Sequence, residues 1–81
     1  MEERIKASYH GFSLLVDRGQ GGLRGWSSRV LDRNGWQLVD DRPDPWPSLS
    51  EAQERAAELA RDEIVRLGEH RPRDLPRWYA H

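Results

Sequence analysis

The apolar pattern of this chain changes period once, at a cluster of prolines. Up to Val39 apolar residues recur at every second position, and from Leu49 onward every three to four. Between the two lies Asp41-Arg42-Pro43-Asp44-Pro45-Trp46-Pro47, whose three prolines remove backbone donors and fix φ. Strands come first, then a crossover loop, then one helix. That order predicts an α+β domain: a three-stranded antiparallel meander sheet with one long C-terminal amphipathic helix packed on one face.

At 81 residues the chain has room for one domain. The β-β-β-α unit is expected over residues 1–68, with a Pro/Arg-rich C-terminal tail over 69–81. A chain of this length buries roughly 60% of its unfolded surface, so each core residue matters. There is no cysteine, which rules out disulfides and thiolate metal sites and fits a reducing compartment. Met1 to Lys6 is charged with no apolar run behind it, so no secretory signal fits. The longest apolar stretch, Leu14-Leu15-Val16, is far too short to span a bilayer. A cytoplasmic location follows as the expectation.

Residues 5–18 read as one extended segment. Ile5, Ala7 and Tyr9 occupy odd positions, whereas Phe12, Leu14 and Val16 occupy even ones, and a bulge near His10-Gly11 would absorb the change. Gly19-Gln20-Gly21-Gly22 then turns the chain. The second strand is expected from Leu23 to Asp32. Asp32-Arg33-Asn34-Gly35 is the clearest turn, and a three-residue loop pairs Val30 with Leu38 and places Trp26, Val30, Trp36 and Leu38 on one face. Gly35 supplies the left-handed residue that this loop needs. Trp26 and Trp36 are thereby expected in the core, with Trp46 plugging its edge.

Ser48-Leu49-Ser50-Glu51 is a capping box, and Gly68 is placed to stop the helix that runs from Leu49 to Leu67. Leu49, Ala52, Ala56, Leu59, Ala60, Ile64 and Leu67 form its apolar stripe. Glu51–Arg55 and Asp62–Arg66 are favourable i,i+4 pairs on the opposite side. The alanines let the helix lie close to bulky sheet residues. The tail is either frayed or docked through Leu75, Trp78 and Tyr79.

Little in the sequence carries catalytic chemistry. His10, His70 and His81 lack metal-ligand spacing and read as solvated. Asp40, Asp41 and Asp44 match no cation loop and read as turn residues. Arg18 to Gly25 superficially resembles a phosphate-cradling loop, but no helix follows to supply the dipole. No nucleophile–base pair, paired acid or cofactor motif is visible, so no enzyme, cofactor, metal or small-molecule ligand is expected.

The outward face of the sheet is the informative surface. It should carry Leu15, Leu31 and Val39, rimmed by Arg29 and Arg33, and one helix covers only one side of a sheet. The tail, a second copy of the chain or another protein should cover it. The leading expectation is therefore a non-enzymatic protein-interaction module, homodimeric or bound to a protein partner, with Trp78 as a further contact. The alternative is a nucleic-acid-binding module with Arg24, Arg29, Arg33, Arg73 and Arg77 on phosphates. Thirteen basic against fourteen acidic residues give a net charge of −1, without the basic excess of a dedicated duplex binder.

The hairpin Val30-Leu31-Asp32-Arg33-Asn34-Gly35 and the helix start Pro47-Ser48-Leu49-Ser50-Glu51-Ala52 resemble those of small bacterial β-β-β-α proteins. Ser48 to Ala52 is also similar to the helix start in the N-terminal domain of HicB-type antitoxins, a likeness that covers about residues 8–67. It implies the same order of short strands and helix. The family's Pro-Asp-Leu-Pro-Gly-like segment is absent, and no functional residue is carried over.

Overall fold

The computed structural model describes residues 3–18, 25–38 and 45–80. Arg24, Val39, the Gly19–Gly22 turn and the Asp40–Asp44 cluster lie outside the described residues.

The sheet has more strands than the pattern suggested. Residues 5–18 form a hairpin, not one bulged strand. Strand β1 (Glu3–Tyr9) pairs antiparallel with β2 (Phe12–Arg18) through a two-residue turn, His10-Gly11, with Tyr9 opposite Phe12. Both turn residues have positive φ, 50° at His10 and 85° at Gly11, as the twist of a two-residue hairpin requires. Such a turn shifts parity just as a bulge would, so the odd and even apolar residues share one face. Histidine is among the few non-glycine types that adopt this conformation readily, but His-Gly is a weaker turn signal than Asn-Gly.

Strand β3 (Ser27–Leu31) pairs with β2 in a register that sets Leu14 opposite Val30, and β4 (Gln37–Leu38) sets Leu38 opposite Val30 on its other side. The Asp32–Trp36 turn has the expected three-residue form. The Asp32 N–H donates to Trp36 O at 2.8 Å, the Gly35 N–H to Asp32 O at 3.0 Å, and the Asp32 carboxylate accepts from the N–H groups of Asn34 and Trp36 at 2.9 Å. Trp26 precedes β3 and makes an isolated bridge with Trp46, their N–H and C=O groups exchanging bonds of 2.8 and 2.7 Å.

Helix α1 (Leu49–Arg66) starts and stops where its caps dictate. Ser48 accepts from the Glu51 N–H at 3.2 Å and donates its hydroxyl to the Glu51 carboxylate at 2.9 Å. At the other end the Gly68 N–H bonds Val65 O at 2.9 Å and the Glu69 N–H bonds Ile64 O at 3.1 Å, the Schellman arrangement, with Gly68 at φ 88°. Ala52, Ala56, Ala60 and Ile64, spaced by four, are fully buried against Phe12, Leu14, Val16 and Val30. The Ser28 hydroxyl donates to Ala52 O at 2.6 Å, which only a small residue at 28 and a close helix allow. Leu67, expected on the stripe, is half exposed past the helix end, and Ala57 is buried in addition. The ion pairs differ from the i,i+4 expectation: Arg55 meets Glu58, Arg66 meets Glu63, and Asp62 meets Arg71.

After α1 the chain doubles back along the helix and ends in β5 (Tyr79–Ala80), which pairs antiparallel with β1. The sheet order is β4-β3-β2-β1-β5, so four strands precede the helix and one short strand follows it. The three-strand expectation missed the first hairpin and the return of the tail.

Candidate interaction surface

The helix, the tail and the sheet divide the sequence-derived residues among three places. Leu15, Arg29 and Leu31 lie on the face away from α1. Register places them in two rows across the strands. Tyr79, Lys6, Leu15 and Arg29 form one row, and Ser8, Ser13, Leu31 and Gln37 form the next. Together they line an open groove of about 420 Å³. Leu15 and Leu31 are half-buried, whereas Arg29 and Gln37 are exposed and Tyr79 is 55% exposed. The sequence did not assign Lys6 to this face, and it offered Tyr79 only as a residue that could dock the tail. Once the His10-Gly11 turn is recognised, the odd-numbered apolar residues of β1 point Lys6 outward, but no local signal joins Tyr79 to this row.

Arg33 is not on the rim of this face. Its guanidinium lies 5.3 Å from the centre of the Phe12 ring, its Nε donates to His10 O at 2.9 Å, and its remaining nitrogens clasp the Glu69 carboxylate. Gly11 makes room for it: a Cβ there would stand 3.0 Å from Arg33 Cγ. The bond from Arg33 holds the Glu69 carboxyl below its ordinary value.

Trp78 is also not a free contact. It is half-buried and packs against the core, and Leu75, with which it was expected to dock the tail, is 78% exposed. Trp36 reverses the other expectation. Register sets it with Val30 and Leu38, yet it is 74% exposed. The Asp32 carboxylate holds its backbone at the turn, and β4 is too short to carry the ring under the helix. Trp26, by contrast, is 6% exposed, with the Arg18 guanidinium 4.8 Å from its ring centre.

A polar cluster pins the tail beside the first hairpin. The buried Tyr9 donates its hydroxyl to Asp74 O at 2.7 Å. Arg61 donates to the Tyr9 hydroxyl and to Asp74 O, both at 3.1 Å, and His10 Nε2 lies 2.8 Å from Asp74 Oδ1. That contact holds the Asp74 carboxyl below its usual range. His10 is thus exposed but engaged, not merely solvated.

The arginines proposed for phosphates do not converge. Arg29 is on the outer face, Arg33 is tied to Glu69, and Arg73 and Arg77 are on the tail. Arg61, His70, Arg71 and Arg73 border an open depression of about 820 Å³, but Arg71 is held by Asp62 and Arg61 by Tyr9 and Asp74. Among the described residues no helix is long and apolar enough to cross a membrane. No protein-family model matches this chain, and no significant similarity was found to a curated protein or to a solved structure.

Proposed function

We propose that this domain is a non-enzymatic protein-interaction module that docks a partner on the outer face of its sheet. The observation that carries this is where the tail goes. It packs along α1 and pairs with the free edge of β1, so among the described residues no segment crosses the groove that holds Leu15 and Leu31. An aliphatic pair flanked by cations and an exposed tyrosine is the kind of surface that binding sites use. The polar residues that do come together, Tyr9, His10, Arg61 and Asp74, bond one another and the tail backbone, which is a fastening role. The likeness of the helix start to HicB-type antitoxins is compatible with this reading and supplies no residue to it.

Site-specific photocrosslinking in the source cell tests the docking face. A crosslinker at Ser13, exposed beside the groove, should yield a discrete protein adduct that disappears with Leu31→Asp. The same crosslinker at Glu58, on the exposed side of α1, should not. Equal adducts from both positions, or none from Ser13, would remove the reading.

A further inference from the structure

We infer that the occupant of this face is a single extended acidic segment of another protein, with apolar side chains between its carboxylates; the inference rests on the docking face proposed above. Charge is the first argument. Among the described residues the face carries Arg4, Lys6 and Arg29 against one carboxylate, Asp17, although the whole chain is net negative. Lys6 and Arg29 have no ion-pair partner among the described residues, and they flank Leu15 on its two sides in one row. A ligand that lays an apolar side chain on Leu15 therefore places its neighbouring groups beside two unneutralised cations. Carboxylates satisfy that arrangement.

The same rows disfavour a second copy of this chain. A two-fold dimer centred on Leu15 would set the Lys6 and Arg29 cations of one copy against the Lys6 and Arg29 cations of the other, and like charges set face to face cost affinity. Size points the same way. Five strands at about 4.8 Å and at most five residues at about 3.3 Å make a face no larger than roughly 400 Å², about half the roughly 800 Å² per partner that a stable protein pair buries. One extended segment fits that footprint. Nucleic acid fits less well, because the centre of the face is aliphatic and, among the described residues, its one aromatic, Tyr79, lies at the edge.

Fluorescence anisotropy on the full chain at low salt tests this. The probes are a short labelled peptide alternating glutamate and leucine, a lysine–leucine counterpart and an oligothymidylate. The glutamate–leucine peptide should bind, and the lysine–leucine peptide should not. Lys6→Glu with Arg29→Glu should weaken binding by about tenfold or more, with Lys6→Gln and Arg29→Gln intermediate, while Glu54→Gln on the helix leaves it unchanged. Circular dichroism verifies that each variant folds. Failure of the acidic peptide to bind, or equal binding of the two peptides, overturns the inference. So does tighter oligothymidylate binding that the charge reversal abolishes, which assigns the face to nucleic acid. A concentration-dependent dimer in sedimentation that Leu15→Asp dissolves overturns it in favour of a second copy. If photocrosslinking maps to Ser13 while the peptides show no charge preference, the docking face stands and the acidic partner falls.

Discussion

Gly25 and Gly35 both hold positive φ, 117° and 86°, for different reasons. At Gly35 an added Cβ would meet nothing within 4 Å, so only the left-handed backbone demands glycine. At Gly25 it would stand 2.7 Å from Trp46 O and 2.9 Å from Pro45 Cβ, where the Trp26–Trp46 bridge draws two backbones together. Gly35→Ala should therefore cost about 1–2 kcal/mol, and Gly25→Ala more than about 2 kcal/mol, because strain and overlap add. Urea denaturation of the two variants checks the ordering; equal losses would mean that the backbone at Trp46 yields easily. The glycine of the Asp32–Gly35 turn was legible in the sequence, because its partner residues are adjacent in the chain. Gly25 was not, since its neighbours, Pro45 and Trp46, arrive from the distant proline loop.

At the scale of elements, local signals were sound wherever an element is defined by its own residues. Ser48, Glu51 and Gly68 bound the helix as the caps implied, and the three-residue loop set the β3–β4 register. The buried stripe of α1 is mostly alanine because the opposing strands supply the volume. Ala56 is fully buried, so Ala56→Leu should push helix and sheet apart and destabilise by about 1–3 kcal/mol. Denaturant melts measure this; an unchanged midpoint would show that the layer is loosely packed. The first hairpin was the chief error. A change of parity in β-type sequence has two geometric causes, and only the pairing of Tyr9 with Phe12 decides between them.

For the molecule as a whole, the tail is the deciding segment, and its fastening is electrostatic as well as apolar. The Asp74 carboxyl is held low by its hydrogen bond with His10 and Glu69 by Arg33, and within α1 Glu63 is held low by Arg66. A carboxyl lowered on folding adds stability above its unfolded value, about 3.9 for aspartate, and that stability is lost as pH falls through the folded value. The melting temperature should thus drop on acidification below about pH 4. Asp74→Asn should lower it near neutrality and flatten the acid slope. Thermal melts across pH check this, and a D74N curve parallel to the parent curve would show that acid acts elsewhere. The His10–Asp74 and Arg33–Glu69 pairs are exposed, so each contributes modestly.

Alternation, caps and turns were readable from the chain alone, because each depends on residues within a few positions of one another. Those features account for the α+β class, the helix limits and the outward placing of Leu15, Leu31 and Arg29. Tertiary structure alone decided that Arg33 turns toward Glu69, that Trp78 enters the core while Trp36 leaves it, and that Tyr79 joins Lys6. Each of these is a contact between segments far apart in sequence. Its free energy depends on which surfaces remain unburied after every other element has packed, and no local pattern encodes that.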